Sequence, residues 1–162
     1  MATTVIDTPI GPLALTAGAA GLVRIDFGTV PGGPDPGGDA AAAATLGQAG
    51  VELAEYFAGT RHVFTVPLDR SARSGFRGEV LSVLESVPYG ETITYGELAA
   101  EAGRPGAARA VGTAMATNPL PIIVPCHRVT RSGGVIGSYG GGVDTKETLL
   151  RLEGALPVSS PG

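Results

Sequence analysis

The hydrophobic period turns lastingly helical near residues 68–74, which divides the chain into a sheet-bearing first part with one helical stretch and a mainly helical second. In the first part, Thr4-Val5-Ile6-Asp7 and Leu13-Ala14-Leu15-Thr16 read as strands around a turn at Thr8–Pro12. Leu22–Phe27 reads as a third strand after a turn at Gly18–Gly21. Residues 28–38 form a Gly/Pro-rich loop expected to be mobile. Residues 39–58 have helical spacing, with Leu46, Val51, Leu53, Tyr56 and Phe57 at apolar positions and Gly59 as a stop. His62–Val66 resembles a further strand.

From Ser74 the period is helical: Phe76, Val80, Leu81, Leu84 and Val87 repeat until Pro88-Tyr89-Gly90 ends the segment. Thr94 can cap a second helix over Tyr95–Ala102, with Glu97 completing a capping box. Gly103-Arg104-Pro105-Gly106 makes a short turn into a third helix over Ala107–Thr117, stopped at Asn118-Pro119. This outline is that of a helix-turn-helix, a weak signal for DNA by itself. Thr145–Gly154 reads as a last short helix. The expected division is therefore 1–70, 71–156 and a frayed tail at 157–162.

One cysteine excludes an internal disulfide and a multi-thiolate zinc site. His62 and His127 are the only imidazoles, so neither metal nor cofactor is expected. No apolar run is long enough to span a bilayer, and Met1-Ala2-Thr3-Thr4 lacks the features of a signal peptide, which points to a cytoplasmic protein. A net charge of −4 argues against coating nucleic acid by bulk electrostatics. Charge is nevertheless uneven, with Arg104, Arg109, Arg128 and Arg131 close together in sequence.

Leu120-Pro121-Ile122-Ile123-Val124-Pro125 delivers Cys126 at the end of an apolar run. A lone cysteine is most often a small buried hydrophobe. Here His127 can accept a proton and Arg128 is a fixed cation, the environment a reactive thiolate needs. Adjacent residues point in different directions, so a water bridging Cys126 and His127 is as reasonable as direct contact. Glu147 and Glu153 are the carboxylates near enough in sequence to orient the imidazole, although a helix-end carboxylate is more often solvated. The run Gly133–Gly142, carrying Tyr139, is either a flexible connector or a wall of the site. The small residues of the third helix suit either tight core packing or close approach to a large partner.

Together these residues resemble the O6-alkylguanine-DNA alkyltransferases, the methylated-DNA–protein-cysteine methyltransferase family. The resemblance is dense from Phe76 to Gly154: Pro88-Tyr89-Gly90-Glu91-Thr92, Tyr95-Gly96-Glu97-Leu98-Ala99, Ala108-Arg109-Ala110-Val111-Gly112, Asn118-Pro119, Pro125-Cys126-His127-Arg128-Val129, Gly137-Ser138-Tyr139-Gly140-Gly141-Gly142, Lys146, and Leu149–Gly154. It is weaker in the first part, chiefly Asp7–Leu13. The resemblance implies an α/β (α+β) fold, with a small ribonuclease-H-like sheet domain followed by a mainly helical domain with a helix-turn-helix.

It also implies DNA repair by direct, irreversible, single-turnover transfer of an alkyl group from O6-alkylguanine to Cys126, with O4-alkylthymine a second candidate substrate. His127 would remove the thiol proton through water and Glu153 would support the imidazole. Tyr95 would displace a phosphate and protonate the leaving guanine. Arg109 would fill the gap left by the flipped nucleotide, with DNA contacts also expected from Ala108, Gly112, Thr94 and Arg128. Asn118 would brace the turn. The Cys126 and Val129 carbonyls would read the guanine amino group, while Tyr139 and Gly140 closed the pocket. The partner would be double-stranded DNA carrying alkylated bases, bound by a monomer in the minor groove with base flipping.

Gly140 stands where relatives often have serine, which removes a hydroxyl contact. Leu81 replaces a tryptophan common in bacterial relatives, and the zinc-binding cysteines of some relatives are absent. A non-enzymatic lesion-binding relative would have replaced Cys126. A helix-turn-helix regulator would not need the residues from Asn118 to Glu153, and a cysteine hydrolase would have to turn over.

Overall fold

Three antiparallel strands, β1 (Ala2–Ile6), β2 (Leu13–Gly18) and β3 (Gly21–Phe27), pair in the order β1-β2-β3, with a bulge at Thr16/Ala17. The structure, a computed structural model, describes residues 1–156; the tail expected at 157–162 lies outside them. The chain forms two compact units, Met1–Ala72 and a second that begins at Arg73.

In the first unit the central strand is the most apolar, and Leu13, Ala14, Leu15 and Ala17 are fully buried. Helix α1 (Ala40–Phe57) packs on the sheet through Ala42, Leu46, Ala49, Leu53 and Tyr56, spaced three to four residues apart as one helical face requires. Asp39 caps it, its carboxylate accepting the Ala41 N–H at 2.8 Å. Val51 departs from the sequence reading: it falls off this stripe and is 60% exposed. The loop at 28–38 is tied down where Thr3 and Asp35 exchange backbone hydrogen bonds of 2.7 and 2.9 Å, and at its start, where the Gly28 N–H donates to the Pro12 carbonyl at 2.8 Å.

His62–Val66 does not form the strand its composition suggests. The buried Glu52 carboxylate on α1 takes the N–H groups of Thr65 (2.8 Å) and Val66 (3.1 Å) and the Thr65 hydroxyl (2.7 Å). These donors are unavailable to a ladder, and the segment meets β3 only later, through a single parallel bridge between Leu22 and Leu68. Gly21 makes that approach possible: a Cβ there would sit 2.7 Å from the Pro67 carbonyl oxygen. We expect Glu52→Ala to cost about 2–4 kcal/mol in denaturant unfolding, because it strands two backbone donors. A loss under about 0.5 kcal/mol would contradict this account.

In the second unit, α2 (Gly75–Glu85) buries Val80, Leu81 and Leu84. The pair α3 (Tyr95–Glu101) and α4 (Ala108–Ala116) forms the helix-turn-helix, and α5 (Val143–Leu152) closes the unit. Thr94 caps α3 in a full capping box with Glu97. A two-residue parallel pairing went unread in the sequence: β4 (Ile93–Thr94) against β5 (Val129–Thr130). Two residues carry no periodicity, yet this pairing brings the start of α3 alongside the chain that leaves Cys126. No helix among the described residues is long and apolar enough to cross a membrane.

Candidate active site

Cys126 begins a single 3-10 turn, Cys126–Arg128, and is 6% exposed. The backbone approaching it is strained. Ile122 is buried with φ of +76°, a conformation that costs a β-branched residue about 1–3 kcal/mol. Asn118, just after α4, holds this approach in place. Its Nδ2 donates to the Val124 carbonyl at 2.9 Å and its Oδ1 accepts the Leu120 N–H at 3.0 Å, and its side chain lies close enough to Cys126 to favour the thiolate.

His127 is fully buried, with Nε2 2.7 Å from Glu153 Oε2. Glu153, at the C-terminal end of α5, is turned inward and 5% exposed rather than solvated. It accepts two hydrogen bonds from Arg128, Nε at 2.8 Å and Nη2 at 3.0 Å. The backbone N–H of Gly90 donates to the same carboxylate at 3.4 Å. Gly90 is required there: its φ is +83°, and a Cβ would meet the Glu153 carbonyl oxygen at 3.1 Å. Glu147, the other carboxylate considered, pairs instead with Arg151 at 3.3 Å on the outer face of α5.

Arg128 corrects the sequence reading, which placed it among the DNA contacts. Its guanidinium is buried, forked onto Glu153 and bonded to the Val87 carbonyl at 2.7 Å, so it faces no solvent-side ligand. The cation acting on Cys126 is Lys146, fully buried on the inner face of α5 with Leu149 and Leu150. Its ammonium donates to the Val129 carbonyl at 2.5 Å and the Ser138 carbonyl at 3.3 Å. The signal was present in the sequence: a lysine three and four residues before two leucines lies on the apolar stripe of the helix.

The electrostatics follow from this packing. Burial raises the Glu153 carboxyl, but bonds from His127 and Arg128 outweigh it and bring its pKa down to about 2. The carboxylate is therefore ionised and acceptor-only, so Nε2 of His127 carries the proton and Nδ1 holds the lone pair. Burial lowers the imidazole below its ordinary value and keeps it neutral, although Glu153 pulls the other way. Arg128 already balances the carboxylate, which leaves the histidine little reason to charge. Among the described residues Nδ1 has no hydrogen-bond partner. Burial also raises the Cys126 thiol above its usual value, with Asn118, Lys146 and Tyr139 each opposing. The resting cysteine is thus protonated, with a neutral acceptor next to it in sequence. Lys146 is lowered by burial to about 8.

A cleft of about 730 Å³ opens over Cys126, within the size range of small-ligand sites. Tyr95, the first residue of α3, stands on one side, with Ala108, Arg109 and Gly112 of α4 beside it. Arg131, directly after β5, and Tyr139 and Gly140 of the glycine-rich loop also line it. Burial pushes the Tyr139 hydroxyl well above an ordinary phenol, and the neighbouring Cys126 adds to that rise. Thr94 is not part of the cleft, and its hydroxyl accepts the Glu97 N–H at 3.1 Å. The Val129 carbonyl spends one of its two lone pairs on Lys146.

A helix-turn-helix whose second helix borders a cleft floored by a buried cysteine makes a ligand-sized site with a single candidate thiol nucleophile. Residues 75–155 match the 6-O-methylguanine DNA methyltransferase DNA binding domain, and residues 1–70 match the ribonuclease-like domain of the same family. A methylated-DNA–protein-cysteine methyltransferase of Mycobacterium leprae is 42% identical over 148 residues, covering 91% of this chain and 89% of its own. A solved structure of Mycobacterium tuberculosis O6-methylguanine methyltransferase superposes with a TM-score of 0.79 at 41% identity, covering 98% of this chain and 97% of the other. The same organism's protein in complex with DNA gives 0.80 at 41% identity, covering 94% and 92%. The chain therefore belongs to the 6-O-methylguanine DNA methyltransferase family.

Proposed function

We propose that this protein repairs DNA by transferring an alkyl group from O6-alkylguanine to Cys126, irreversibly and once per molecule. The observation that carries the reading is the buried, protonated Cys126 on the cleft floor, followed by a neutral His127 locked by an ionised Glu153. The mycobacterial relative in complex with DNA supports DNA as the partner. The chemistry is assigned to residues 71–156, with 1–70 a separate domain.

His127 takes the thiol proton from its Nδ1 side through one bridging water, which satisfies an otherwise unpartnered buried nitrogen. Asn118, Lys146 and Tyr139 stabilise the thiolate that results. Its lone pair attacks the alkyl carbon, and the C–O electrons pass to the guanine oxygen. Tyr95 protonates a ring nitrogen, so guanine leaves neutral. The product thioether is not cleaved by water, which ends the reaction.

The target carbon lies inside the duplex, so the base must be extruded at a cost of a few kcal/mol. Arg109 is exposed at the start of α4 and fills the vacated stack from the minor groove, with Ala108 and Gly112 permitting close approach. The Val129 carbonyl and Gly140 contact the flipped base, and the protein acts as a monomer. Arg109→Ala should slow transfer from a duplex about tenfold, the equivalent of about 1.4 kcal/mol. It should leave transfer from a single-stranded oligonucleotide within about twofold; equal losses on both substrates would remove the extrusion role.

The reading is tested by titrating the protein into a duplex with one O6-methylguanine and following restored guanine. Restoration should stop at one lesion per protein molecule. Turnover beyond that, or methanol as product, would overturn it.

A further inference from the structure

Arg131 has no place in the chemistry so far, yet its position is specific. It follows β5 directly, and its backbone N–H donates to the Val135 carbonyl at 2.7 Å, closing the turn that fixes the side chain's origin. The side chain is exposed in the cleft and makes no hydrogen bond or ion pair among the described residues. A Cβ built on Gly137 would lie 3.5 Å from the Arg131 side chain at Cγ and 3.5 Å from the Tyr95 hydroxyl. The two side chains therefore flank one point on the cleft wall. In a chain of net charge −4, an arginine left without a carboxylate beside a phenol is available to a transient anion.

We propose that Arg131 is a positioning and charge-supporting residue for proton donation by Tyr95. This inference rests on the alkyl-transfer reading above. When Tyr95 gives its proton to the departing guanine, the phenol oxygen becomes a phenolate, and the neighbouring guanidinium stabilises that charge as it develops. The balance closes without a further reactant. The S–C bond forms, the C–O bond breaks, the proton moves from Tyr95 to guanine, and solvent returns a proton to Tyr95 as His127 releases one. The other charged or titratable groups at this wall are Cys126 from the 3-10 turn, Arg109 from α4 and Tyr139 from the loop, and the buried Lys146 of α5 lies close enough to feel the Arg131 charge. Burial raises the Tyr95 phenol, Arg131 opposes that rise, and Cys126 adds to it.

Two roles for a free arginine in this cleft must be told apart: support of Tyr95, and a contact to a DNA phosphate. Single-turnover transfer is measured for wild type, Arg131→Gln, Arg131→Lys, Tyr95→Phe and the double variant. The substrates are an O6-methylguanine duplex with ordinary linkages and one with neutral methylphosphonates flanking the lesion. Arg131→Gln should slow transfer roughly fivefold to tenfold near neutral pH on both duplexes. Arg131→Lys should recover most of the loss. In the Tyr95→Phe background the Arg131→Gln change should add less than about twofold. The alkaline fall in rate should move to higher pH in Arg131→Gln, because a less acidic phenol stays protonated longer. Four results overturn the proposal: an unchanged rate, a loss confined to the ordinary duplex, full multiplication of the two losses, or a lysine variant as slow as glutamine. Absence of transfer in wild type would instead overturn the functional reading.

Discussion

Glu153→Ala is expected to destabilise the second unit by about 3–5 kcal/mol, the cost of breaking a buried ion pair by removing one partner. The change would leave the buried Arg128 with the Val87 carbonyl and the Tyr89 ring, 5.8 Å away, but no carboxylate for its charge, and would free the His127 ring. Total stabilities of ordinary domains are about 5–15 kcal/mol, so the variant should unfold at a much lower urea midpoint. Glu153→Gln keeps the shape and one acceptor and should lose about half as much. The pH dependence has a definite sign. Glu153 is lowered to about 2 in the folded chain, so its contribution is complete above its unfolded value and lost as pH falls towards about 2. The buried neutral His127 acts in the same direction, because acid must charge it. Wild type should therefore weaken steeply with acid, and Glu153→Gln less so; parallel acid limbs in the two proteins would contradict the ion-pair account.

Cys126→Ser is expected to abolish transfer, by at least about a thousandfold, because a hydroxyl in this site is a far weaker nucleophile than a thiolate. The fold should survive, since serine can occupy the small volume beside Asn118 and Tyr139. Lesion binding should remain within about threefold of wild type, because the cleft walls are unchanged. Loss of binding together with loss of transfer would assign Cys126 to structure rather than chemistry.

The helices were legible because their apolar residues repeat at 3.6-residue spacing and their ends carry recognisable chemistry: Asp39, the Thr94–Glu97 box and Gly59. The strand expected at His62–Val66 was not decided by local composition. A carboxylate from α1, ten or more residues upstream, captured its donors, and no local pattern encodes that. The pairing of β4 with β5 escaped because two residues have no period. Cys126, His127 and Glu153 were legible as candidates, but the inward turn of Glu153 depends on Arg128, which the sequence reading had placed on the DNA face. A buried arginine and a surface arginine are identical in sequence; only the partner's position separates them. Lys146 and Arg131 carried weaker signals, the first a charge on an apolar helical stripe, the second a basic residue on the loop that follows the cysteine.

The most direct test is a peptide mass map after incubation with an O6-methylguanine duplex. The account predicts one added methyl on the peptide containing Cys126 and on no other, with the oligonucleotide returned to guanine. An unmodified Cys126 peptide, whether the lesion persists or its methyl appears elsewhere, would contradict it.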